Sequence, residues 1–165
     1  MFLPMPHGAV MFAILAFAIG VIAGLRAFTA PALVAWAAHL GWLNIAGSSL
    51  AFVGSAAAVG VLTLLAIGEL VTDKLPKAPN RTEPLGLVAR FVTGALSGAA
   101  VAVSGGGMAF LLGGILGALG GIAGAFAGYQ ARTRLVKALK VPDFVIAVLE
   151  DAVAIGGGFW IVSRF

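Results

Sequence analysis

The chain has 165 residues, 61% of them hydrophobic and 10% charged. Soluble domains are about a quarter charged, so this chain cannot cover a globular surface, and its high mean hydropathy makes lipid its solvent. A formal charge of only +4, confined to loops, argues against nucleic acid, and the lack of cysteine excludes disulfides and thiolate chemistry.

Met1 to Gly8 carries no Lys or Arg, so the basic start of a signal peptide is missing. Gly8 to Leu25 reads as a retained first transmembrane helix, with a cleaved leader as the alternative. Arg26 interrupts the apolar run. Thr29 and Pro31 follow, a capping residue before a proline in the first turn, which is how a new helix starts. The segment Ala30 to Trp42 is apolar but about 13 residues, or about 20 Å. That falls short of a hydrocarbon core of roughly 30 Å, so it reads as re-entrant or interfacial, with a sixth span as the alternative. Trp36 and Trp42 suit an interface.

Asn44 to Ser49 is rich in turn formers. A second spanning helix runs from Leu50 to Val71 and leads into Glu69, Asp73 and Lys74. Pro76, Pro79 and Pro84 then forbid a continuous helix and mark a water-exposed loop. The third helix, Leu85 to Val103, carries Arg90. After a glycine turn, the fourth runs from Met108 to Gln130 with two glycine rows, Gly113/Gly117/Gly121 and Gly120/Gly124/Gly128, spaced for close helix packing. Arg132 to Lys140 reads as a separate short basic amphipathic segment. Pro142 opens the fifth helix, which reaches Val162. The fold expected is an all-α membrane protein with about five transmembrane helices plus one or two short re-entrant or interfacial helices, forming a single domain over residues 1–165.

Lys74, Lys77 and Arg81 occupy one loop, and Arg132, Arg134, Lys137 and Lys140 another; Arg90 lies near the same face. With both loops in the cytoplasm, the positive-inside rule gives a cytoplasmic N-terminus and an outside C-terminus. Gly20 to Thr29 also matches Gly124 to Thr133 without gaps at five positions: Gly20/Gly124, Ala23/Ala127, Gly24/Gly128, Ala27/Ala131 and Thr29/Thr133. Under that topology, units of about 8–74 and 108–163, linked by 85–103, are inverted, as in many secondary transporters; chance similarity in an Ala/Gly-rich chain is the alternative. Thr29 and Thr133 would then mark the N-termini of short helices facing a cavity.

Glu150 and Asp151 lie inside the last helix among apolar neighbours, about 12 Å along its axis. Carboxylates at that depth are expensive and must face protein or water. Glu69, Asp73 and Arg90 fall in the same half of the membrane. One of Glu150 and Asp151 is expected to bridge to Arg90 and the other to face a cavity. A pair that only fixes packing competes with a cation or proton site or a gate. For Glu69 and Asp73 the alternative is a pair of interfacial acids; Arg26 either snorkels on the outer side or lines the cavity. No phosphate loop, catalytic triad or metal-ligand cluster is present, so neither an enzyme nor a cofactor is expected; a metal is left open.

Gly24-Leu-Arg-Ala-Phe-Thr-Ala-Pro31, Asp73-Lys-Leu-Pro-Lys-Ala-Pro-Asn-Arg-Thr82 and Glu150-Asp151 together resemble a family of small bacterial integral membrane proteins classed only as a domain of unknown function. The resemblance covers most of the chain. It implies the membrane assignment, in the bacterial cytoplasmic (inner) membrane, and adds no mechanism. The function expected is a small transporter or channel for an ion or small solute, with proton coupling as one option and with transport candidates Glu150, Asp151, Arg90, Glu69, Asp73, Arg26, Thr29 and Thr133. The alternative is an accessory or structural subunit of a larger membrane complex. The partners expected are the lipid bilayer and either further copies of the chain or the subunits of such a complex.

Overall fold

Six α-helices make up the computed structural model, which describes residues 7–75, 81–106 and 110–165. They are α1 (His7–Leu25), α2 (Thr29–His39), α3 (Ala56–Thr72), α4 (Pro84–Ser104), α5 (Phe110–Leu139) and α6 (Asp143–Val162), with a single 3₁₀ turn at Ala51–Gly54. Helices α1, α4, α5 and α6 are long and apolar enough to cross a membrane, and α3 is a shorter apolar helix. Large apolar side chains such as Ile14, Leu64, Leu111 and Val153 stand exposed on their outer faces. That is the surface of a multi-pass membrane protein, because only lipid accommodates such a belt without cost.

Glycine sets the packing. Both glycine rows of α5 face inward, one against α4 and the other against α1. A Cβ at Gly117 would run into the carbonyl of Gly94 and sit 2.9 Å from the Cα of Gly98; one at Gly24 would lie 2.6 Å from the Cα of Gly124. Real Cβ atoms do not come that close, so the three backbones touch only because no side chain intervenes. Gly94 faces Gly117 and Gly98 faces Gly113, so α4 and α5 are antiparallel; Gly20 faces Gly117 and Gly24 faces Gly121, so α1 and α5 are parallel.

That parallel pairing corrects the inverted repeat expected from the Gly20/Gly124 match: the two matched helices run the same way. The break expected at Thr133 is absent as well. Residues 131–139 contain no breaker, so the basic segment continues α5, and the Thr133 hydroxyl donates back to Tyr129 O at 2.9 Å. The helix stops only where Lys140 takes φ 53°, two residues before Pro142. The second spanning helix is also shorter than expected. Ser55, not Leu50, starts it: its Oγ accepts from Ala58 N at 3.2 Å, and the residues before it form the 3₁₀ turn.

Helix α2 turns one face into the bundle and leaves Trp36 on the outside. Thr29, Ala30, Pro31, Ala32, Val34, Ala35 and Ala37 are all buried. It runs antiparallel to α3: the Phe28 amide meets Glu69, and Trp36 Nε1 donates to Thr63 Oγ1 at 3.0 Å. The chain therefore returns from the end of α1 to the opposite end of the bundle, where Asn44 N donates to Ser104 Oγ at 2.9 Å. With that extra pass, the start of α1 and the end of α6 share one end: the Phe12 and Phe165 rings are 5.6 Å apart. This corrects the expectation of termini on opposite sides. The loop residues 76–80, including Lys77, and the turn residues 107–109 lie outside the described residues.

Candidate functional site

Charges gather at the other end. Helices α1, α3 and α5 finish there and α4 and α6 begin there, so the ionisable residues in or next to their final or first turns meet. Arg26, in the corner between α1 and α2, is completely buried. Its Nη1 lies 2.6 Å from Asp73 Oδ2, its Nε donates to Asp151 Oδ1 at 2.6 Å, and its Nη2 is 3.5 Å from Glu150 Oε2. One guanidinium thus ties α3 and α6 to the α1–α2 corner.

The remaining pairs surround it. Arg81 grips Glu150 with both terminal nitrogens, Nη2 donating to Oε2 at 2.8 Å. Lys74 Nζ donates to Asp151 Oδ2 at 2.5 Å and to Leu70 O at 2.7 Å. Arg132 bridges Asp73 at 2.6 Å and Asp143 at 2.5 Å, and comes within 3.6 Å of Glu150. Arg90 Nη2 is 3.6 Å from Glu69 Oε1, while its Nε and Nη1 donate to Gly24 O and Gly86 O, each at 3.0 Å. Among the described pairs, five cations (Arg26, Lys74, Arg81, Arg90, Arg132) face five carboxylates (Glu69, Asp73, Asp143, Glu150, Asp151). The balance matters, because a lone charge withdrawn from water is far costlier than a matched, hydrogen-bonded one.

At Asp73, just past the end of α3, burial pushes the carboxyl pKa up, but the Arg26 charge and then Arg132 outweigh it and hold it below the usual carboxylate range. Glu69 does different work. Its two oxygens accept the backbone amides of Ala27 and Phe28, each at 2.8 Å, so it fills the capping role expected of Thr29. Thr29 is instead the first helical residue, and Phe28 holds the N-cap position with no side-chain bond.

The expected site residues thus divide. Glu150, Asp151, Asp73, Glu69, Arg90 and Arg26 converge; Thr133 stays on the exposed side of α5 and takes no part. The Arg90 pairing expected for Glu150 or Asp151 is corrected: Arg90 reaches Glu69, and Arg26 serves the other two. Arg26 is not an outer snorkelling residue, because α1 and α5 are parallel and their ends coincide. Lys74, Arg81, Arg132 and Asp143 were missed. Arg81 reads as a loop residue yet is 6% exposed. Its only signal in the sequence is the surplus of arginine next to unpaired intramembrane acids.

Beside Glu150, between α5 and α6, lies a cavity of about 200 Å³ lined by Leu25, Gly128, Arg132, Leu135, Leu149 and Val153 among others. Leu135, Leu149 and Val153 are exposed, so it opens sideways toward lipid. A Cβ at Gly128 would lie 2.7 Å from Leu25 Cδ2 and 2.9 Å from Arg81 Nη1, so those side-chain ends would have to shift to admit one. Among the described residues, no three His, Asp or Glu side chains are grouped to hold a metal ion.

The family model described as a domain of unknown function, DUF4126, matches residues 13–163, which take in all of these groups. The chain belongs to the DUF4126 family. No curated protein and no solved structure matches this DUF4126 member.

Proposed function

We propose that this DUF4126 member is a small transporter or channel for an ion or small solute, and that the ion-pair cluster is the closed gate of its pathway. The observation that carries this reading is Arg26, fully buried and in contact with carboxylates from two different helices. Apolar packing would join those helices at less cost. Ion pairs differ from apolar packing in being exchangeable: an incoming ion or a proton re-pairs the partners. Ionisable groups held inside a membrane bundle mark a pathway by default. Asp151, paired with both Arg26 and Lys74, is the shared point at which an incoming ion would exchange partners.

The positive-inside rule places the charged end in the bacterial cytoplasm. Arg134, Lys137 and Lys140 extend that end, and among the described residues Arg164 is the one Lys or Arg at the far end, so both ends of the helical array face outward in the inner membrane. Since the chain has no native cysteine, Ser163→Cys and Lys137→Cys read this directly with an impermeant thiol reagent on intact cells. Transport is tested by liposome flux of a broad panel of ions, comparing wild type with Glu150→Gln/Asp151→Asn; unchanged flux throughout removes the claim.

One observation favours a second reading, an accessory subunit of a larger complex. A Cβ at Gly60 or Gly68 of α3 would meet nothing within the chain, which leaves two close-approach points open on an exposed helix. Native mass spectrometry in mild detergent separates the readings, and a solitary monomer or plain homo-oligomer counts against the subunit.

A further inference from the structure

The last turns of α5 and the first turns of α6 enclose the sideways-opening cavity, and the gate makes no use of it. Two facing rows line it: Gly128, Ala131 and Leu135 on α5, and Ile146, Leu149 and Val153 on α6. Each row spans about 10 Å of helix axis. A volume of about 200 Å³ over that length is a section of roughly 20 Å². One extended hydrocarbon chain has about that section, whereas a helix, about 10 Å across, needs several times more. The groove therefore suits a single apolar chain entering from the lipid side, and not a partner helix.

At its upper end the groove meets positive charge. Helix α5 is 30 residues long. At 1.5 Å per residue that is about 45 Å, so its last turns outrun a hydrocarbon core of roughly 30 Å and reach headgroup level. Arg134 precedes the groove residue Leu135 there, and Lys137 lies about one turn on. Lys140 sits in the short connection to α6, between the two helices that wall the groove. All three are exposed, and they stand outside the cluster in which five cations meet five carboxylates. The acids nearest the groove are already neutralised: Glu150 is held by Arg81, and both oxygens of Asp143 accept from Arg132.

We propose that this groove binds one phospholipid with an anionic headgroup, an acyl chain lying between α5 and α6 and the phosphate meeting Arg134, Lys137 and Lys140. Basic residues at headgroup level over a gap between membrane helices are how such lipids are recognised. Each one favours an anionic over a zwitterionic headgroup by about fivefold, so the three together give about tenfold or more. The proposal goes beyond the transport reading, because binding here requires no flux.

The test is native mass spectrometry of the purified full chain in mild detergent, titrated with phosphatidylglycerol or with phosphatidylcholine of the same acyl chains. One phosphatidylglycerol binds ahead of all others, at least about tenfold more tightly than phosphatidylcholine. Arg134→Gln/Lys137→Gln/Lys140→Gln brings the two lipids to within about twofold of each other. Filling the groove from an exposed position, by Ala131→Leu or separately by Val153→Trp, weakens both lipids at least about fivefold and keeps the preference. Soluble glycerol phosphate, a headgroup without chains, does not displace the lipid. Equal binding of the two lipids by wild type overturns the proposal, as does uptake of many lipids with no tight first one. So does undiminished phosphatidylglycerol binding in both groove-filling variants, or displacement by glycerol phosphate, which would assign the basic residues to a free phosphate instead.

Discussion

Replacing Arg26 by glutamine removes a fully buried cation that lies against three carboxylates, Asp73, Glu150 and Asp151. Each of them keeps another partner: Asp73 keeps Arg132 at 2.6 Å, Asp151 keeps Lys74 at 2.5 Å, and Glu150 keeps Arg81. The variant is therefore left with one surplus negative charge and no stranded carboxylate. Breaking a buried ion pair costs about 3–5 kcal/mol, and the surviving partners put this case near 3. At roughly 2–4 °C per kcal/mol for a chain of this size, the unfolding temperature falls by roughly 6–12 °C. Arg26→Lys keeps the charge but not the fork, and falls in between. Adding Asp151→Asn to Arg26→Gln removes the surplus charge, so the double variant loses less than the sum of the singles, by about 0.5–3 kcal/mol. The assay is thermal unfolding of all five proteins, wild type, the three single variants including Asp151→Asn, and the double, in one detergent. If Arg26→Gln unfolds within about 2 °C of wild type, less than the cost of one matched buried pair, the cluster is solvated and the gate has no basis.

The other predictions concern packing and pH. Gly117→Ala drives a methyl into the α4 backbone, which must retreat, and costs about 1–3 kcal/mol or more; Gly60→Ala, where the methyl meets nothing, is neutral or slightly stabilising. Equal unfolding temperatures for these two variants would contradict the packing of α5 against α4. Because the Asp73 pKa is depressed in the folded protein, its contribution is fully present above the unfolded value near 4 and is lost as pH falls through the lower folded value. A scan from pH 7 downward should therefore show little Asp73-dependent change until about pH 4, then a loss that Asp73→Asn removes; a loss already complete by pH 5 would contradict the Arg26 and Arg132 pairing.

Local sequence was enough for the helices whose limits are set by local chemistry. Pro84, Pro142 and the apolar runs between charged loops place α4 and α6 to within a residue or two, and the absence of cover for so much apolar surface fixes the membrane class. The two glycine rows were legible as packing faces because a 3.6-residue period leaves each on one side of a helix. Glu150 and Asp151 were legible as site candidates because charge inside an apolar run is never cheap.

What only the tertiary structure decided was direction and partnership. The short apolar segment after Thr29 has the same composition whether it lies in an interface or crosses back through the bundle; its burial against neighbouring helices, which no local pattern encodes, makes α2 a return pass. That extra pass reverses the sense of every later comparison: it puts α1 parallel to α5, brings both ends of the helical array to one side, and moves Arg26 into contact with Asp73, Glu150 and Asp151. Ion pairing depends on which helix ends meet in space, across separations of up to 125 residues. Composition sets how many charges there are, and the packing of glycine on glycine decides which of them touch.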